Sequence, residues 1–479
     1  MGELSQASHS TEGELQRGLS NRHIQLIAIG GAIGTGLFMG SGRTISVAGP
    51  SILFVYAIIG FMIFLVLRAM GELLLSNLNY KSFGDFATDI LGPTGGFFVG
   101  WSYWLAWVVV GVADTIAITN YVHFWWPDLP SWIPAIVLIL ALLTLNLPSV
   151  KNFGEIEFWF AMIKIVAIIV LIIVGLSMVF MGFTAPNGNK AQIANIWNDG
   201  GLFPFGVHGF LAGFQIALFA FFGAELIGTT AAETKDPRKT LPRAINSVPV
   251  RIILFYVLTL AVILMVTPWR SIPSDQSPFV EMFALAGLGV AGSIVNFVVL
   301  TSAMSSANSG VFSTSRMLYG LAEEGTAPRV FSKLSKTGVP RNALYLTAVL
   351  MLSGIVLLYS GDDAMTAFEL VATVTALLAM FVWSMILVCY FIYRSKRPEV
   401  HAASEYKMPG GRVSAAIALL FFIAMIVVLG QDPETLKALM VLPIWFVLLT
   451  IGWFIVRKSP ARIAGYKRFK EDLKKEVTF

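Results

Sequence analysis

Charge is scarce in this sequence: Asp, Glu, Lys and Arg make up 13% of 479 residues, about half the share expected of a soluble domain. That shortage excludes an ordinary soluble globular chain. One cysteine, Cys389, lies in an apolar segment, which excludes an intrachain disulfide and a cysteine-based metal site. The five histidines, His9, His23, His123, His208 and His401, are scattered. With no nucleophile elbow, phosphate-binding loop or metal-ligand cluster, neither enzyme chemistry nor a metal or other cofactor is expected. The first twenty residues lack an apolar core, so no cleaved signal peptide is expected.

What the sequence has is apolar length. Hydrophobic residues make up 56% and mean hydropathy is +0.76. Runs of about 20 apolar residues, enough to cross a bilayer, recur along the chain. The reading is an all-α membrane protein with twelve spans, near residues 24–47, 51–75, 97–123, 132–148, 158–182, 208–231, 249–267, 288–315, 343–360, 365–393, 413–430 and 439–457. The seventh and eighth are joined by an outer loop with a short surface helix. Residues 21–458 form one polytopic domain between cytoplasmic tails, 1–20 and 459–479.

With both termini inside, 28 of the 33 Lys and Arg residues fall on the inner side and only Arg43, Lys190, Arg270 and Lys437 on the outer. This positive-inside bias orients the chain and explains its net charge of +5 without a nucleic-acid partner. Trp125, Trp126 and Trp132 read as interfacial anchors.

The first span carries GGAIGTGLFMGSG, residues 30–42, and the sixth carries GFLAGFQIALFAFFGAELIG, residues 209–228, with Gly223 near its middle. If spans 1–5 and 6–10 are two halves of opposite orientation, these glycine clusters occupy matching places, the pattern of discontinuous helices at a transporter's midplane site. Interior glycine costs a helix about 1 kcal/mol relative to alanine, which makes local unwinding cheap. Amides near Gly34, Thr35 and Gly36 suit an anion, and carbonyls near Ala32 and Phe219 suit a cation. Together they describe a zwitterionic amino acid. The competing reading is small-residue packing, since Gly30 and Gly34 have GxxxG spacing. Phe219, just before the second break, is the aromatic residue placed to act as a gate. Gly40 and Gly42 read as packing positions.

Ionisable groups inside a membrane are functional candidates. Lys164 falls in the fifth span, too deep to snorkel comfortably, and is a candidate to trade a proton at physiological pH. It is expected to bridge the first and eighth spans, at Ser305 and Ser306; a structural ammonium tie to carbonyls is the alternative. Glu225 follows the second break, where it could serve the substrate's amino group, carry a proton or cap a helix. Asp114 and Glu369 fall nearer the outer surface and read as solvated vestibule residues. Glu72 reads as an i,i+4 pair with Arg68.

NRHIQLIAIGGAIGTGLFMGSG, RAMGELLLSNLNYKSFGDFA, GEIEFWFAMIKIVAI, FFGAELIGTTAAETKDPRKTLPRAINSVPVRI and LTSAMSSANSGVFSTSRMLYGLAEEG resemble the bacterial amino acid transporter family of the amino acid/polyamine/organocation superfamily. The resemblance runs from about residue 15 to 458 and is strongest to the D-serine/D-alanine/glycine permeases. It implies a leucine-transporter-like fold of five-plus-five inverted repeats, with discontinuous first and sixth helices and two extra C-terminal helices. It also implies proton symport of an amino acid across the bacterial inner membrane. By the same resemblance, Ile33, Gly34, Thr35 and Gly36 hold the substrate carboxylate. Phe219, Ala220 and Phe222 offer carbonyls to its amino group, Glu225 is the sixth-helix acid and Lys164 replaces a sodium ion. The expected partners are the substrate, protons and the lipid bilayer, and a monomer suffices. Alternatives are a permease for GABA, proline or another amino acid, an exchanger, and a membrane nutrient sensor.

Overall fold

The computed structural model describes residues 33–148, 150–229, 236–360 and 364–475. Among them the regular elements are helical, and one isolated bridge, Thr184 with Lys190, closes a loop. Helices are what long apolar runs dictate, because hydrocarbon leaves each backbone amide to be satisfied within its own segment.

In chain order the helices are α1 Thr35–Phe38, α2 Gly40–Ala48, α3 Ile52–Ser76, α4 Phe83–Leu91, α5 Pro93–His123, α6 Trp132–Asn146, α7 Val150–Phe180, α8 Gly206–Ala212, α9 Phe214–Ala217 and α10 Leu226–Thr229. There follow α11 Pro237–Asn246, α12 Val248–Ile252, α13 Thr259–Val266, α14 Pro278–Leu285, α15 Gly289–Glu323, α16 Arg341–Met351 and α17 Ser353–Ser360. The chain ends with α18 Ala364–Lys396, α19 Pro398–Ala403, α20 Gly411–Leu429, α21 Pro433–Val456 and α22 Pro460–Asp472. Among the described residues nine helices are long and apolar enough to cross a membrane, or ten when the bent pair 206–217 and 219–229 is taken as one span.

The centre is α5, which packs along both α15 and α18. Small residues permit the approach: Gly310 of α15 lies against the Trp107 ring and Gly111 of α5 against Met351. In the most apolar stretch of α5, 78% of residues are buried, against 6% in α21. The first is therefore central and the second is rim, with large apolar side chains such as Ile444, Val447 and Ile451 left exposed as lipid-facing residues are.

α7 shows how one helix serves both environments. Val166, Ile169, Val170 and Ile173 are exposed at helical spacing, while Phe153, Glu157, Ala161, Lys164 and Ile168 are buried on the other side. Its two buried charges thus share one inward face.

Two expectations need correction. The helix between the seventh and eighth spans, α14, is buried rather than superficial: its Phe279 and Met282 point inward, and Phe279 meets Phe38 of α1 edge-on with centroids 4.6 Å apart. The cause is composition, since PFVEMFAL is mostly apolar. The expected pair of Glu72 with Arg68 also does not form. Glu72 is fully buried, pairs with His401 at 2.5 Å and accepts from the Met408 amide at 2.8 Å. Arg68 turns to Asn246 at 2.6 Å and lies over the Tyr406 ring. Tertiary partners displaced the local one because a buried carboxylate is costly until several donors reach it.

Candidate functional site

The first break is built around Gly34. Its backbone is extended (φ −131°, ψ −161°), α1 starts at Thr35, and no side chain caps that start. The amides of Gly34, Thr35 and Gly36 therefore have no partner among the described residues. Just upstream, the Ile33 carbonyl accepts from Lys164 Nζ at 2.8 Å and from Ser302 Oγ at 3.0 Å. Ile33 is thus tied by its carbonyl to α7 and α15. Ala32 lies outside the described residues.

The second break separates α9 from α10. The sixth span bends by 42°, a short 3-10 turn covers Phe219–Phe221, Phe222 is extended, and Gly223 takes φ 103°. A left-handed φ of that size favours glycine. Of the three carbonyls assigned to the break, that of Phe219 accepts from the Phe222 amide at 3.1 Å and that of Ala220 from the Tyr256 hydroxyl at 3.1 Å. The Phe222 carbonyl has no donor among the described residues. Glu225 is buried and folds back so that both carboxylate oxygens lie 3.2 Å from the Gly223 amide, with Trp383 Nε1 3.3 Å from Oε2.

The two breaks touch. A Cβ on Gly36 would lie 2.5 Å from Ala220 Cα and 2.8 Å from its amide nitrogen, so only glycine fits. Gly40 and Gly42 instead serve packing, against Ile216 and the Gln276 carbonyl.

Lys164 joins this centre to α15, donating to Ser305 Oγ at 3.0 Å. Ser306, one residue on, lies beside Gly34 with its Oγ 3.2 Å from where a Cβ would stand. Beyond Ser305 is a group the motifs do not single out. Glu157 accepts from Ser305 Oγ at 2.8 Å and from Asn308 Nδ2 at 2.7 Å, and Asn308 accepts from Asn146 Nδ2 at 2.6 Å. The one available sequence signal is its seven-residue spacing from Lys164, two helical turns.

Asp114 and Glu369 part company. Asp114 is fully buried and accepts from Thr35 Oγ1 at 2.8 Å, which overturns its reading as a solvated vestibule residue. The reason is that α5 is central along its length, so nearness to one end of the span does not bring water. Glu369 is partly exposed, pairs with Arg43 at 2.8 Å and lines a cavity of about 1220 Å³ that also holds His208, Gln215 and Asp275. Ile216 lines the cavity on the side of Gly40. Phe219 is buried against Phe368, edge to face at 5.7 Å, and the cavity lining includes neither break.

Residues 23–464 match the family model for amino acid permeases. The chain belongs to the amino acid permease family. It is 61% identical over 450 residues, 94% of this chain and 96% of the relative, to a D-serine/D-alanine/glycine transporter of Escherichia coli strain K12. It is 47% identical over 451 residues, 94% and 97%, to the amino-acid permease AapA of Bacillus subtilis. A probable threonine/serine transporter of Bacillus subtilis is 42% identical over 442 residues, 92% and 95%. The permease family and these relatives are transporters, not enzymes.

Proposed function

We propose that this permease is a proton-coupled symporter importing small neutral amino acids, D-alanine, D-serine, glycine and L-alanine, across the inner membrane by alternating access. The observation that carries the reading is the contact of the two breaks at Gly36 and Ala220, beside amides of residues 34–36 and a Phe222 carbonyl that have no partner among the described residues. The first group suits a carboxylate and the second an ammonium. The match to the D-serine/D-alanine/glycine transporter supports the substrate class.

The same reading carries twelve spans in a five-plus-five inverted repeat, both termini in the cytoplasm and a single polytopic domain. The uneven distribution of Lys and Arg supports that orientation. The cavity at Arg43 and Glu369 then opens to the outside, and Phe219 with Phe368 is the gate beneath it. Gly34, Thr35 and Gly36 bind the carboxylate, with Ile33 holding the turn. Phe222, and after rearrangement Phe219 and Ala220, receive the amino group. Lys164 carries the proton and ties its state to the first break through Ile33, while Glu225 holds the second break and serves as a further proton site.

Purified protein in liposomes should accumulate labelled glycine and D-alanine when the outside is made acidic, without sodium. A requirement for sodium, or failure to concentrate either substrate, would remove the reading. Lys164→Ala should abolish accumulation while measurable substrate binding remains; undiminished pH-driven uptake in that variant would take the proton role away from the lysine.

A further inference from the structure

We propose that Glu157 is the inward proton acceptor for Lys164, reached through the hydroxyl of Ser305. The proposal rests on the symport reading and adds the route by which the proton leaves.

The geometry is directional. Ser305 Oγ accepts from Lys164 Nζ at 3.0 Å and donates to Glu157 Oε2 at 2.8 Å. A hydroxyl that accepts from an ammonium and donates to a carboxylate can pass a proton without moving. In that step an N–H bond of Lys164 breaks and the proton joins the Ser305 oxygen, while the Ser305 O–H bond breaks and its proton joins Glu157 Oε2. Lysine ends neutral, serine ends unchanged, and the carboxylate becomes the acid. Release of that proton to water on the inner side, followed by reprotonation of Lys164 from the outer side, transfers one proton across the site.

Position supports the direction. Glu157 is seven residues before Lys164 on α7, a displacement of about 10 Å along the helix, toward the end read as cytoplasmic. The surroundings support the chemistry. The groups facing Glu157 from α15 are neutral, Ser305, Asn308 and Ser309, and Asn146 of α6 reaches it only through Asn308. The nearby charge is Lys164, with Asp114 of α5 beyond the lysine.

Glu157→Gln separates the two roles, since an amide keeps the size of the side chain and one acceptor oxygen but cannot take the proton. In liposomes the variant should lose about tenfold or more of glycine accumulation under an acid-outside gradient. Counterflow exchange of labelled for unlabelled glycine, which needs no net proton movement, should stay within about twofold of wild type. Accumulation close to wild type overturns the proposal, and so does a parallel loss of accumulation and counterflow, the result a purely structural tie gives. Should the glutamine variant fail to fold, Glu157→Asp carries the test: a shifted pH profile of accumulation supports the relay, and an unshifted profile overturns it. Wild-type protein without pH-driven accumulation overturns the symport reading itself, a result visible before any variant is made.

Discussion

Gly36 and Gly34 are two residues apart and meet different neighbours. A Cβ at Gly36 strikes the Ala220 backbone, which cannot rotate away, whereas one at Gly34 meets the Ser306 hydroxyl, which can. Gly36→Ala should therefore nearly abolish uptake of labelled glycine, and Gly34→Ala should keep a measurable part of it. Equal loss in both would mean that the amide cradle matters more than the contact between the breaks. A bulky residue at 36 is a weaker probe, because the clash alone would stop transport whatever the amides do. Lys164 was legible as a lone cation in EFWFAMIKIVAII. Glu157 was not, because a glutamate near the start of a span looks interfacial until its helix is docked. Asp114 misled for the same reason: sequence position gives depth along a helix, and burial depends on which helices surround it.

At the scale of the element, the sixth span shows what a single backbone angle does. Gly223 at φ 103° lets the chain leave the turn at Phe219–Phe221 and start α10 on a new axis. Gly223→Ala should cost about 1–3 kcal/mol of local strain, read as a lower melting temperature in detergent together with reduced glycine uptake. An alanine variant with both unchanged would mean that the bend has another cause. The glycines of residues 209–228 announced this bend, whereas the first half of the first span lies outside the described residues. α4 and α22 were not announced. They are short or polar, and what holds them is docking rather than hydrophobic length.

At the scale of the whole molecule, α22 straps the face on which α4 and the ends of α15 and α18 meet. Gly465 lies against the Glu324 backbone and Gly325 against that of Ala461, so the chains meet without side chains between them. Asn77 and Asn79 donate to the Leu473 carbonyl at 3.1 and 3.3 Å. Asp89 pairs with Arg397 at 2.7 Å and with Lys470, and accepts from the Tyr80 hydroxyl at 2.6 Å. Burial alone would raise the Asp89 carboxyl, but Lys470, Tyr80 and Arg397 together hold it below its usual value of 3.8. A depressed carboxyl stabilises the fold fully above its unfolded pKa, and the contribution is lost as the pH falls through the folded value. Asp89→Asn should therefore lower the melting temperature at pH 7, a loss of about 1 kcal/mol for a partly exposed pair. The difference from wild type should shrink on acidification below about pH 4. A gap that persists undiminished at low pH would mean that packing, not charge, holds the strap.

The sequence by itself determined the membrane class and the bend of the segment 206–229 and marked Lys164 as a lone cation in an apolar run, because each follows from the local cost of placing a polar group or a glycine in hydrocarbon. The tertiary structure decided the rest: which carbonyl Lys164 takes, that Gly36 meets Ala220, that Glu72 prefers His401 to Arg68, and that Glu157 is joined to Lys164 through Ser305. Those contacts span from 131 residues, for Lys164 with Ile33, to 329, for Glu72 with His401. No local pattern encodes such pairings, since they exist only once separate helices have chosen their neighbours.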